Sequence, residues 1–203
     1  MIKPEKAISS STPSGCRLLK ITKAGFAEST VNKSRFIAVA EYCADERAVG
    51  VCLRKLAIQH QSAHHLAYAF RLKTEQGIVQ RFSDAGEPSG TAGKPILQFL
   101  EGRNLINVCV GVIRYYGGIN LGTGGLARAY GGTGRLAIED ATIVPYVEMK
   151  QLQLKLDYKE LDYFTRELSK IEGVLLEKVF GDGVTVLVSL PELSVEAVLK
   201  RFG

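Results

Sequence analysis

Apolar positions recur along the chain with two periods, and each period assigns elements. Phe26 to Asn32 and Arg35 to Tyr42 read as two strands joined at Lys33-Ser34. Asp45 then caps a helix, because Val49, Cys52, Leu53 and Leu56 fall at the i, i+3, i+4, i+7 spacing of one helical face. Leu66, Tyr68, Phe70 and Leu72 alternate with other residues, which predicts a strand, and Ile78 to Phe82 pairs back with it. A long loop runs from Ser83 to Lys94. Pro95 suits the first turn of a short helix through Leu100. Val108 to Ile113 is a continuous apolar run, the pattern of a central strand buried on both faces. A glycine-rich loop and a helix reaching Asp140 follow.

Val144-Pro145 marks a boundary, and beyond it the pattern is cleaner. Leu152, Leu154, Leu156 and Tyr158 alternate with Gln151, Gln153, Lys155 and Asp157, a half-buried strand. Leu161, Phe164, Leu168 and Ile171 make a helical stripe that Gly173 ends. Val174 to Phe180 and Val184 to Leu190 flank the turn Gly181-Asp182-Gly183. Pro191 opens a last helix with Val195, Val198, Leu199 and Phe202 on one face. The order strand, helix, strand, strand, helix is that of a ferredoxin-like split βαβ unit lacking its last strand. One sheet edge is then left uncovered. The expected organisation is a flexible tail over residues 1–20, a first domain over 21–143 and a second over 144–203.

The chain has 203 residues, 46% of them hydrophobic and 23% charged, a globular balance that excludes a disordered chain. No apolar run approaches the ~18 residues of a membrane span, so no membrane partner is expected. The net charge is +5. Up to residue 143 there are 18 basic and 11 acidic residues, and from 144 onward 8 and 10, so the excess lies wholly in the first part. A basic first part is compatible with phosphate-bearing partners and equally with a merely solvated surface. Cys16, Cys43, Cys52 and Cys109 form no C-x-x-C pair, which excludes zinc ribbons and thioredoxin-type sites. Cys109 reads as a small buried hydrophobe. The first residues, MIKPEKAISSSTPSG, lack an apolar secretory core, and reduced cysteines point to the cytoplasm.

Between Gly86 and Gly134 there are 13 glycines in 49 residues, against an average usage of ~7%. Two familiar motifs are nearly present there. A P-loop needs a Ser or Thr after its lysine, and Lys94 is followed by Pro95. A dinucleotide fingerprint needs a tight strand-to-helix turn, and a stretch of several residues separates Arg114 from Gly122. Both are rejected. What survives is general. Gly122, Thr123, Gly124 and Gly125 precede a helix whose first N–H groups lack internal partners, and the helix dipole favours an anion there. Gly117 and Gly118 open this loop. Arg114 and Arg128 add charge-assisted hydrogen bonds, and Lys94 joins them if the two loops converge. Tyr115 and Tyr116 offer one ring for the core and one for stacking on a base. No cofactor is implied, although phosphate or sulfate fits at Gly122 to Gly125. For Gly131, Gly132 and Gly134, close contact with the sheet is the favoured reading.

Asp84 and Glu87 are the paired carboxylates of a glycine loop. Holding a metal, or acid–base work with His64 or His65, is one reading; a turn cap and an Arg partner is the other. His64 and His65 point to opposite faces if they begin a strand. No His or Cys spacing fits zinc, so no metal is expected.

Lys33-Ser34-Arg35-Phe36-Ile37-Ala38, Ala63-His64-His65-Leu66-Ala67-Tyr68, the Ser83 to Pro95 loop and the Arg114 to Gly131 run, in this order, resemble the IMPACT family and its bacterial YigZ-like members. The resemblance spans residues 22 to 203. It implies an α+β protein of two domains. The first has the left-handed βαβ fold of a ribosomal-protein domain, elongation factor G domain IV and GHMP kinases. The second is ferredoxin-like, similar to elongation factor G domain V. Eukaryotic relatives regulate translation by competing for the activator of the kinase that acts on initiation factor 2, largely through an additional N-terminal domain. The favoured expectation is a non-enzymatic RNA- or ribosome-binding protein in translation regulation. An enzyme acting on a phosphorylated small molecule, with Asp84, Glu87 and His64, and a protein-binding module stay open beside it.

Overall fold

The computed structural model describes residues 17–203. The chain divides into two compact units after Tyr146. The first holds β1 (Leu19–Lys23), β2 (Gly25–Val31), β3 (Ser34–Tyr42), α1 (Glu46–Gln59), β4 (His65–Thr74), β5 (Gly77–Ser83), α2 (Gly93–Gly102), β6 (Val108–Tyr115), α3 (Gly122–Asp140) and β7 (Thr142–Pro145). The second holds β8 (Met149–Leu156), α4 (Leu161–Lys170), β9 (Val174–Phe180), β10 (Val184–Pro191) and α5 (Glu192–Phe202). The fold class is α+β.

The main sheet of the first unit has the order β2-β3-β6-β4-β5, with every neighbouring pair antiparallel. β3 and β4 therefore run parallel on either side of β6, and α1 connects them. Central β6 alternates its side chains between two cores. Val108, Val110 and Val112 pack with Ile96, Leu100, Ala129 and Ile138 of α2 and α3. Cys109 and Ile113 pack with Val49, Cys52 and Leu56 of α1. Both faces are covered, which is why the sequence here is an unbroken apolar run. Asp45 caps α1 as its spacing predicts, its Oδ1 accepting from the Ala48 N–H at 2.7 Å.

Three local details differ from the sequence reading. The hairpin between β2 and β3 turns at Asn32-Lys33, with φ of 44° and 63°, and Ser34 is already a strand residue opposite Val31. Two consecutive left-handed residues make the turn that matches strand twist, and Asn tolerates that region better than most residues. Second, β1 and β7 form a separate antiparallel pair that periodicity did not reveal. Leu19 and Lys20 belong to a strand and Ile21 is buried, so this end of the span expected to be a tail is ordered; residues 1–16 lie outside the described residues. The Tyr146 N–H donates to the Leu18 carbonyl at 2.8 Å, which keeps the chain through Tyr146 with the first unit and moves the boundary past 144. Third, α3 begins at Gly122, so Gly122 to Gly125 form its first turn instead of preceding it.

The second unit follows the predicted order. β8, β10 and β9 lie side by side, all antiparallel, and α4 and α5 cover one face around Leu154, Leu156, Phe164, Leu168, Val186 and Val188. Among the described residues no helix of this unit lies on the opposite face. Among the described residues, no helix of either unit is long and apolar enough to cross a membrane.

Candidate functional site

The chemistry-bearing side chains gather where β6 ends and the 84–92 loop folds over the sheet. Arg114 is opposite Phe36 on one side and His65 on the other, so the three make one row across β3, β6 and β4. Their face belongs to α2 and α3. Glu87 reaches down from the loop, and its Oε1 accepts from Arg114 Nη1 at 2.7 Å and from the Tyr130 hydroxyl at 2.8 Å. Both members of the ion pair are nearly out of solvent, at 6% and 5% side-chain exposure. Such a pair holds the loop to the sheet and to α3 at once. Removing one partner would leave the other charge buried. Burial, and secondarily the bond to Glu87, pushes the Tyr130 hydroxyl far above its ordinary range, so it stays a donor. Arg114 Nη2 lies 3.4 Å from Ser34 Oγ, while its Nε is buried without a hydrogen-bond partner. The rings of Tyr116 and Phe36, 5.1 and 5.7 Å from the guanidinium carbon, accept part of its charge instead.

Asp84 has a different task. Its carboxylate accepts the N–H groups of Gly90, Ala92 and Gly93 at 2.8 to 2.9 Å. Ala92 offers no side-chain cap to α2, so Asp84 supplies the cap from eight residues away. Burial alone would raise its pKa, but the N–H groups of Gly90, Ala92, Gly93 and Lys94 together outweigh burial and hold it below the ordinary carboxylate value.

The adjacent histidines diverge, as strand geometry demands. His65 donates through Nδ1 to the Ala85 carbonyl at 2.9 Å, and its Nε2 lies 3.8 Å from Glu87 Oε1. His64 accepts the Tyr116 N–H on its Nδ1 at 3.2 Å. A carbonyl only accepts and an N–H only donates, so the two rings protonate different nitrogens. His64 thus stands apart from both carboxylates, and the triad of Asp84, Glu87 and His64 considered for acid–base work does not assemble.

The remaining predicted residues are spread out. Tyr115 faces α1, its hydroxyl 2.9 Å from His60 Nδ1. Tyr116 is half-exposed, but its hydroxyl donates to Asn120 and one ring face is taken by Arg114. Gly117 touches the β2–β3 turn so closely that a Cβ would fall 2.1 Å from the Lys33 carbonyl, and its N–H donates to Ser34 Oγ. Gly118 and Gly122 have φ of 83° and 67°, which turn the chain into α3. Leu121 gives α3 no side-chain cap, so the amides of Gly122, Thr123 and Gly124 meet none. Arg128 folds back along this turn, its Nη1 3.5 Å from where a Gly124 Cβ would be. Lys94 lies against Gly90. Among the described residues no hydrogen bond, ion pair or ring contact joins Lys94, Arg114 and Arg128. A shallow groove of about 420 Å³ opens one helical turn further on between α2 and α3, with Arg128 and Arg135 on its wall. Among the described residues no three His, Cys, Asp or Glu side chains converge as metal ligands.

Sequence reasoning missed Ser34 and Tyr130. Tyr130 falls on the apolar stripe of α3, and the signal was its hydroxyl, which needs a partner once buried.

The fold and this polar cluster define a class: a two-unit α+β protein whose first unit clamps a glycine loop onto an antiparallel sheet. Residues 32–138 match the Impact N-terminal domain. An IMPACT family member of Haemophilus influenzae is 34% identical over 171 residues, 84% of this chain and 83% of that protein. YvyE of Bacillus subtilis, another IMPACT family member, is 35% identical over 164 residues, covering 81% and 75%. The crystal structure of a hypothetical protein superposes with a TM-score of 0.67 at 30% identity, over 89% of this chain and 88% of that one. The chain belongs to the IMPACT family.

Proposed function

We propose that this protein is a non-catalytic RNA- or ribosome-binding factor that acts in translation regulation in the cytoplasm. One observation carries the reading. The acid–base side chains are committed to each other, whereas several cations of the first unit have no acid to pair with. Glu87 is held by Arg114 and Tyr130, and Asp84 by backbone amides. Arg103 and Arg128, by contrast, have no acidic partner among the described residues and lie at the solvent surface. A surplus of unpaired cations on a unit with 18 basic and 11 acidic residues favours a polyanionic partner. The translational setting rests on the resemblance of both domains to those of elongation factor G.

The test is fluorescence anisotropy of labelled RNA with the full chain over a range of salt, together with co-sedimentation with ribosomal subunits. Binding should weaken steeply with salt, and Arg128→Ala should lower the log–log salt slope by about 1, the share of a single neutralised phosphate. Affinity indifferent to salt and to Arg128→Ala would reject the reading.

A protein partner is the second reading, favoured by the exposed Val174, Leu176, Val179 and Phe180 of edge strand β9.

A further inference from the structure

The groove between α2 and α3 contains a glycine that packing does not explain. Three glycines sit in the middle of α3, where each disfavours helix relative to alanine. Two touch other elements. A Cβ on Gly131 would press on Pro95 at 3.1 Å, and one on Gly134 would sit in ordinary contact with Ile96 and Val110 at 3.4 and 3.5 Å. Gly132 lines the groove, and nothing lies within 4 Å of where its Cβ would be. Its bare backbone keeps the groove open.

The walls have a definite chemistry. Arg128 and Arg135 are seven residues apart on α3, two turns along one face, so their Cα atoms lie about 10 Å apart by helical rise, and their guanidinium groups reach away from each other, toward Gly124 and Glu139. That spacing offers two anion positions instead of one. Arg135 has only an exposed pair with Glu139 at 3.6 Å, which solvent screens. Across the groove, α2 contributes the half-buried Phe99 and the exposed Gln98. The Arg103 guanidinium carbon lies 5.8 Å from the Phe99 ring, and Arg103 does not line the groove. Two exposed arginines along one wall, an aromatic side chain opposite and a helix backbone bare of a side chain at Gly132 are complementary to a chain that alternates phosphates with planar bases.

Resting on the RNA reading above, we infer that the α2–α3 groove is the seat of a single strand of RNA. Its phosphates lie on Arg128 and Arg135, a base lies on Phe99, and the strand passes over the bare backbone at Gly132. Gly132 is then a ligand-facing position, and α3 gives up helical stability there to leave room.

The geometry sets an unusual test, because filling the groove should not harm the fold. Gly132→Leu points a side chain into open space, and Gly132→Ala is the small control. The full chain and both variants are compared by thermal melting and by anisotropy with a fluorescein-labelled oligouridine. Gly132→Leu should melt at or above the temperature of the parent and bind RNA on the order of tenfold more weakly, and Arg135→Ala should lower the salt slope by about 1. A well-folded Gly132→Leu with the parent's RNA affinity would overturn the groove while leaving the RNA reading intact. A parent chain that binds no RNA would remove both. Poly-glutamate displacing oligouridine as well as unlabelled RNA does would assign the groove to an acidic protein surface and overturn the RNA seat.

Discussion

The two larger sheets of this molecule bury different numbers of faces. The five-stranded sheet has α1 on one side and α2 with α3 on the other, so β6 is apolar at almost every position. The three-stranded sheet has helices on one side only, and β10 alternates buried and half-buried residues along its length. The consequence is a difference in what a polar group costs. On the open face of the second unit, Gln151, Gln153 and Lys155 stay in water. In the first unit a polar side chain that enters the layer under the 84–92 loop must find its partner there. Arg114, Glu87, Tyr130 and Ser34 do so by binding one another.

Substitutions that break this contrast should rank accordingly. The largest effect belongs to Glu87→Gln, which leaves the Arg114 charge buried. It should cost about 3–5 kcal/mol, read as a fall in the urea midpoint with unchanged slope. A change near zero would mean that solvent reaches the pair. An intermediate effect is expected at Asp84, where charge-assisted amide bonds are worth about 1–3 kcal/mol together. Its folded pKa lies below the ordinary 3.8. Its contribution is therefore complete above that value and is lost as pH falls through the lower folded one. Acid titration of the unfolding midpoint below about pH 4 should then destabilise the parent more than Asp84→Asn. The smallest effect is expected on the open face. Gln153, exposed on β8 opposite Leu187, should accept Thr with a change within about 0.5 kcal/mol.

The same contrast explains what could be read in the sequence. The second unit was legible in detail because a sheet with one wet face writes its period into the residues, as Leu152, Leu154 and Leu156 do against Gln151, Gln153 and Lys155. In the first unit the central strand was visible as a run, but a run does not say which neighbours cover it. β1 and β7 escaped because four or five residues carry too little pattern, and their pairing joins positions far apart in sequence. At the polar cluster the residue types were visible and their roles were not. Asp84 and Glu87 look alike as carboxylates three residues apart. One meets backbone amides and the other a guanidinium only because of the turns around Ala85 and Gly90, which have φ of 51° and 76°. The start of α3 was placed late because Gly122, Gly124 and Gly125 are weak helix formers that tertiary context overrules.

The pairing of Leu19 with Pro145 has a topological consequence. The described part of the first unit begins and ends side by side, its first and last strands stitched together. A permuted chain, with those ends joined by a short linker and new termini opened at the Asn32-Lys33 turn, keeps every strand of the main sheet whole.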